Sequence, residues 1–164
     1  MNNIKHVFLP LLIFLIGCAK EVQQDLPYKV IEDSVAFPTT EKDINQIDDF
    51  VVITKFDDIT QLELNEQESS YFDEINFNNS FVILVLRGQL PDSGTVESVI
   101  KEENDVIIRT KGIDPGPGSF VISGFTPPYQ IIMVDKIGVW NGYYNFALDR
   151  EGTGLVSTKS VFVP

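Results

Sequence analysis

Apolar residues occur along this chain in short blocks that are separated by glycine, proline and acidic residues. The most apolar block within the body of the chain covers residues 81–86 and is ended by Arg87 and Gly88. A continuous apolar run of this length is typical of a strand that is buried on both faces. The pattern therefore predicts a core strand here.

Shorter runs rich in valine, isoleucine and aromatic residues predict further strands, with turn residues between them. These strands are expected at residues 28–32, 50–54, 95–100, 105–110, 119–125, 129–135, 142–149 and 155–163. Residues 102–104 would form the turn of a hairpin, and Asp57 would cap a short helix over residues 57–62. Many short strands with one short helix predict an all-β sandwich.

The amino terminus has a different pattern. Lys5 and His6 precede an apolar block at residues 7–16, which is followed by Gly17 and by Cys18, the only cysteine. The block is about half as long as the roughly 20 apolar residues that a membrane-spanning helix needs. A basic start, a short apolar block and a small residue together predict a secretory signal peptide.

The sequence Leu15-Ile16-Gly17-Cys18 resembles the lipobox of bacterial lipoproteins. The resemblance implies that residues 1–17 are removed and that Cys18 carries the lipid. The alternative is an ordinary signal peptide that happens to contain a cysteine. We expect residues 18–27 to be a tether and residues 28–164 to form a single domain. By resemblance to known sorting rules, the absence of aspartate directly after Cys18 favours the outer membrane.

Charge and composition restrict the possible partners. The chain carries a formal net charge of −12, and it becomes −13 when Lys5 is removed with residues 1–17. Nucleic acids and anionic head groups attract basic surfaces, so we expect no nucleic-acid partner and no direct binding to anionic lipid head groups. The remaining 147 residues are enough for one domain with a substantial core.

Little in the sequence predicts catalysis. The only histidine, His6, lies in the signal, and Cys18 is used for lipid, which removes His-based triads and zinc sites. The acidic pairs at 48–49, 57–58 and 73–74 are adjacent in sequence, so their side chains diverge and do not aim at one substrate. No calcium-loop spacing is present. We therefore expect a protein without enzymatic activity, metal or cofactor.

Three loops with restricted backbones are the candidate contact surface, because a rigid loop loses little entropy when it binds. They cover residues 88–95, 114–118 and 126–129. Gly and Pro are also the default turn residues, so ordinary turns are an open alternative. The candidate contact residues in these loops are Pro91, Asp92, Ser93, Gly94, Pro117, Thr126, Pro127, Pro128 and Tyr129.

Residues 81–88, 91–94, 115–118 and 126–136 resemble the PrcB-type C-terminal domain, named for a lipoprotein subunit that stabilises a surface protease complex. The resemblance covers about residues 73–137. Residues 92–96 (Asp-Ser-Gly-Thr-Val) differ from the family turn, since one glycine and a tyrosine are missing. The family is similar, more distantly, to chagasin-type protease inhibitors. The resemblance implies an immunoglobulin-like antiparallel β-sandwich with Pro91 to Gly94 at the inhibitory loop.

Taken together, these features predict a membrane-anchored lipoprotein that binds an exported protein, with a protease as one candidate, as stabilising subunit or inhibitor. Tyr129 is the expected aromatic anchor, although its ring could instead fold back over the sandwich edge. Trp140 is a second contact candidate. If Trp140 is exposed near Tyr143 and Tyr144, it could stack on sugars, so a glycan or cell-wall binding module is the alternative. A purely structural envelope protein is a third hypothesis.

Overall fold

A computed structural model describes residues 23–34, 50–62, 69–86, 95–111, 129–152 and 154–164. The described part of the chain forms two β-sheets with one short helix, so the predicted all-β sandwich is confirmed. The strands are β1 Gln24–Asp25, β2 Tyr28–Ser34, β3 Phe50–Ile53, β4 Ser80–Leu86, β5 Thr95–Glu102, β6 Asp105–Lys111, β7 Tyr129–Asp135, β8 Gly142–Arg150 and β9 Gly154–Val163.

The first sheet, sheet A, has the strand order β1-β5-β6-β8-β9, and the second, sheet B, has the order β2-β7-β4-β3. Neighbouring strands are antiparallel except for β6 and β8, which are parallel. This parallel pair departs from the fully antiparallel sandwich that the family resemblance implied. Its strands are joined through β7 in the other sheet, which provides the long connection that parallel neighbours need.

Strand β4 is the centre of the core, as its apolar run predicted. All seven of its residues are buried, and it lies between β7 and β3. Phe81, Ile83 and Val85 face sheet A, whereas Val82 and Leu84 face the opposite side. Sheet B therefore needs a cover on both faces.

Sheet A covers the inner face of sheet B. Val106 and Ile108 of β6 and Phe146 and Leu148 of β8 are fully buried against it. Alternate residues of these strands point outward, which is the period-2 pattern expected for a sheet with one wet face.

The outer face of sheet B is covered by a short helix, α1 (Phe56–Ile59), and by two 3₁₀ turns, Thr60–Leu62 and Ser70–Phe72. Ile59 and Phe72 are the buried residues of this cover. The predicted helix therefore exists, but its N-cap residue is Lys55 and not Asp57, and Asp58 is the third residue of the helix. The Asp58 Oδ2 atom accepts hydrogen bonds from the backbone N–H of Thr54 at 2.9 Å and of Lys55 at 3.2 Å.

The predicted hairpin at residues 95–110 is confirmed. β5 and β6 pair antiparallel from Thr95 opposite Lys111 to Glu102 opposite Asp105. Glu103 in the turn has a φ of 51°, a left-handed conformation that tight hairpin turns require.

The domain begins earlier than predicted. The sequence predicts a tether over residues 18–27, but β1 pairs with β5, and Leu26 is buried in the core at 3% exposure. The Leu26 N–H donates to the Val99 carbonyl at 2.8 Å. One apolar residue in a polar stretch has no detectable period, so the sequence did not predict this strand.

Lys159 joins the open edges of the two sheets. Its Nζ donates to the carbonyl of Phe50 on β3 and lies 5.0 Å from the centre of the Phe50 ring. β3 and β9 are the edge strands on this side of the sandwich. A lysine at an edge opposes unwanted pairing with other strands.

The predicted strand at 119–125 lies outside the described residues.

We expect Tyr28→Phe to destabilise the fold by about 1 kcal/mol, because the Tyr28 hydroxyl donates to the Val96 carbonyl at 2.9 Å across the two sheets. Urea unfolding measures this, with Tyr143→Phe, an exposed hydroxyl, as the control expected to change little. An equal effect of both substitutions would contradict the bridging role.

The same hydroxyl gives a pH prediction. Burial, and then the charge of Glu97, raise the pKa of Tyr28 above its ordinary 10.0. Between 10.0 and the raised pKa, the folded protein keeps a proton that the unfolded chain loses, so stability should fall as pH rises through this window. Tyr28→Phe should remove part of that fall, and an unchanged pH profile would contradict the assignment.

Candidate functional site

The strand ends that flank the segments with the three candidate loops lie together at one end of the sandwich. β4 ends at Leu86, which pairs with Tyr129 at the start of β7. β5 begins at Thr95, which pairs with Lys111 at the end of β6. Segments 87–94 and 112–128 therefore both start and finish at this end, which we call the loop end.

Gln130 fixes the two sheets to each other at the loop end. Its side-chain Oε1 accepts a hydrogen bond from the Val96 N–H of β5 at 2.9 Å, and its Nε2 donates to Asp33 of β2 at 3.5 Å. Gln130 is only 3% exposed, so loss of its acceptor would leave a buried N–H without a partner. The loop end consequently has a well-fixed base.

Most of the predicted site residues lie outside the described residues. These are Cys18, Pro91, Asp92, Ser93, Gly94, Pro117, Thr126, Pro127 and Pro128. For the loop residues among them, the structure gives only the positions of the strand ends before and after each loop.

Tyr129 is described, and its position corrects the expectation that it is an exposed anchor. The residue is 3% exposed and belongs to the apolar cluster on the outer face of sheet B, with Leu86 and Ile131. The alternative, a ring packed back against the sandwich, is what the structure shows. The first residue of a strand in the middle of sheet B alternates into a covered face, which explains the burial.

Trp140 also lies in the core rather than at the surface, and this corrects the expectation of an exposed indole. It is 7% exposed, and its ring centre is 5.3 Å from that of Phe81 and 4.5 Å from that of Tyr144. The indole Nε1 donates to the Ile137 carbonyl at 3.1 Å, which satisfies its only polar atom. Lys101 Nζ lies 4.9 Å from the indole centre, a cation–π contact.

Among the described residues, the exposed aromatic rings are Phe56, at the start of α1, and a pair formed by Tyr143 and Phe162. Neither member of this pair is among the contact residues that the sequence predicts. They are 71% and 44% exposed, lie opposite each other on β8 and β9, and pack edge to face with ring centres 5.4 Å apart. Tyr143 and Tyr144 are adjacent, so the strand alternation sends one ring outward and one inward. That alternation was visible in the sequence, but which ring is outward depends on the register.

The outer face of sheet A beyond these rings is a shallow depression of about 680 Å³. In its lining, the Asn145 amide donates to Asp105 at 2.9 Å, and Asp149 lies 3.6 Å from Arg109 Nε. These carboxylates are held by polar neighbours and form an ordinary solvated surface. Within the described ranges, no group of three or more acidic, histidine or cysteine side chains is arranged to hold a metal ion.

Lys136 closes the opposite end of the fold. Its Nζ donates to the carbonyl of Phe77 at 2.8 Å and to that of Pro164 at 2.9 Å. Burial lowers the pKa of Lys136 from its ordinary 10.5. The lysine thereby links β7, the cover of sheet B and the end of β9, which is a structural role.

No protein-family model, curated protein or solved structure matches this chain in the comparisons made. Among the residues that the structure describes, no helix is both long and apolar enough to span a membrane.

The position of Trp140 gives a direct spectroscopic prediction. Because it is the only tryptophan and is buried, its emission should be at short wavelength and should resist quenching by aqueous iodide. Emission at the wavelength of a hydrated indole, with strong quenching, would contradict this placement.

Gln130→Leu should destabilise the fold by about 1–3 kcal/mol, because the buried Val96 N–H would lose its acceptor. Asn145→Leu, which changes an exposed amide on β8, is the matched control and should have much less effect. Urea unfolding of both variants measures the difference.

Proposed function

We propose that this protein is a membrane-anchored lipoprotein without enzymatic activity that binds an exported protein, with a protease as one candidate, as a stabilising subunit or inhibitor. The contact surface is formed by segments 87–94 and 112–128. The observation that carries the proposal is that the strand ends flanking both segments lie together at the loop end.

The base of the loop end supports recognition because it is rigid. Leu86, Gln130 and Tyr129 are each at most 3% exposed, and the Gln130 side chain bonds across the two sheets. Loops on such a base lose less entropy on binding than loops on a mobile one. Fixed sheets that present several loops at one end are a common arrangement for binding proteins.

The proposed attachment is acylation at Cys18. The chain after residue 17 contains no other cysteine and no histidine, so we assign it neither a thiol nor an imidazole catalyst. The strongly negative charge is the reason for proposing a protein partner in place of nucleic acid.

The glycan alternative depended on an exposed Trp140, which the structure places in the core. A sugar-binding surface would need aromatic rings other than Trp140. We therefore propose partner binding and not glycan binding. Its contact residues in the loops are Pro91, Asp92, Ser93, Gly94, Pro117, Thr126, Pro127 and Pro128. Tyr129 and Trp140 are removed from the contact set because they are buried.

Lipid attachment predicts that cells expressing the full chain incorporate labelled palmitate into it, and that Cys18→Ala abolishes the incorporation. Mass spectrometry of the purified protein should find the acyl groups on residue 18. An unmodified Cys18 in protein from native membranes would contradict the anchor.

Partner binding predicts that Pro91→Ala with Ser93→Ala, or Pro127→Ala, reduces recovery of a crosslinked exported protein at least severalfold without lowering the melting temperature. Tyr143→Ala, at the far end of sheet A, is the control that should leave recovery unchanged. If the loop variants recover the same protein in the wild-type yield, the proposed contact surface is wrong.

A further inference from the structure

The chain enters the sandwich at the end of sheet A that lies opposite the loop end. Gln24, the first residue of β1, pairs with Lys101 near the end of β5. Lys101 Nζ lies 4.9 Å from the Trp140 ring and 5.4 Å from the Tyr144 ring. The entry point is therefore at the same end of sheet A as Trp140 and Tyr144.

The distance between this entry point and Cys18 is limited by the chain itself. Six residue steps separate Cys18 from Gln24, and a fully extended chain of that length spans at most about 20 Å. If Cys18 carries lipid, as the proposed function requires, this end of sheet A cannot be farther than that from the membrane surface. The inference rests on that part of the proposed function.

Four exposed apolar side chains are grouped at this end, and we call them the entry-end patch: Ile137, Val139, Tyr143 and Phe162. Their exposures are 37%, 85%, 71% and 44%. The Tyr144 hydroxyl donates to the Val139 carbonyl at 3.3 Å, which holds the loop before β8 against the strand. Tyr143 and Phe162 are one residue from the start of β8 and the end of β9.

We propose that the entry-end patch rests on the lipid interface of the membrane to which Cys18 is anchored. Tyrosine suits this position because its ring is apolar and its hydroxyl stays in water, and the aliphatic residues add apolar area. Without this contact, a patch with 85% exposure at Val139 would leave apolar surface in water at the end of sheet A that the anchored chain enters.

Charge selects the kind of lipid. Glu102, Glu103 and Asp105 lie at the β5–β6 turn of the same end. Lys101 lies over aromatic rings and Lys136 donates to two carbonyls, whereas Lys29 and Lys55 are exposed toward this end. The three acidic side chains of the turn outnumber these two exposed cations. The interface therefore fits zwitterionic lipid better than anionic lipid.

This orientation turns the loop end away from the membrane. β5 runs eight residues from Thr95 at the loop end to Glu102 at the entry end, which is about 23 Å of strand. Segments 87–94 and 112–128 would then leave the sandwich on the side where a partner in the aqueous compartment can reach them.

The test uses a single introduced cysteine, since the only native one is Cys18 and is blocked by lipid. The acylated protein carrying Val139→Cys is labelled with an environment-sensitive fluorophore and reconstituted into phosphatidylcholine vesicles. Leu155→Cys is the matched control, because Leu155 is 64% exposed and lies seven residues before Phe162, toward the loop end of β9. Each sample is checked for flotation with the vesicles.

The expected result is a shift of emission to shorter wavelength and a loss of iodide quenching at position 139, with neither change at position 155. Tyr143→Ser with Phe162→Ser should abolish the shift at 139, while buried Trp140 emission shows that the fold is intact. Replacing part of the lipid with phosphatidylglycerol should reduce the shift.

Four results would overturn the inference. If the protein floats with the vesicles while position 139 is still quenched by iodide, the proposed membrane contact is wrong, and the lipid anchor and the partner proposal are unaffected. If both positions are protected, the protein adsorbs to the vesicles nonspecifically. If dimers are crosslinked through position 139, the patch contacts a second copy of the chain. Failure to float removes the lipid anchor, and the inference with it.

Discussion

The burial of β4 on both of its faces is the constraint on which the rest of this structure depends. All seven residues of Ser80–Leu86 are buried, so the strand is stable only when each face of sheet B is covered. Sheet A provides one cover, through Phe146 and Leu148, and the segment with Ile59 and Phe72 provides the other. The same strand begins the candidate contact surface, because segment 87–94 leaves directly from its end.

Polar side chains then fix the layers at the places where apolar packing alone would leave them free to slide. Gln130 joins the sheets at the loop end, Lys159 joins their open edges at Phe50, and Lys136 joins β7 to the last strand at the opposite end. Each contact pairs a side chain with a backbone group of another element, so the side chain satisfies a polar atom that strand pairing does not use. The loop end and the entry end thereby keep fixed positions on opposite sides of one core.

The sequence predicted those parts of the fold that have a local signal. The apolar run of β4, the hairpin of β5 and β6 and the bounds of β7 follow from hydrophobic period and turn residues. It did not predict β1, since Leu26 is a single apolar residue among polar ones, or the parallel pairing of β6 with β8, which depends on strand order. Asp57 is not the helix cap, because the helix starts at Phe56 with Lys55 as the N-cap residue, and the Asp58 side chain in the first turn accepts from the Lys55 N–H. For the site, strand alternation could have predicted that Tyr143 and Tyr144 point to opposite faces, but the burial of Tyr129 and Trp140 depends on elements far away in sequence.

The central proposal is that the loop end contacts a protein partner while the entry end faces the membrane. The most direct measurement places a photocrosslinking residue at Ser93 in one variant and at Tyr143 in another, and irradiates both in native membranes. The account predicts that position 93 crosslinks one defined exported protein and that position 143 crosslinks lipid and not that protein. Capture of the same protein from both positions, or capture of lipid alone at position 93, would contradict it.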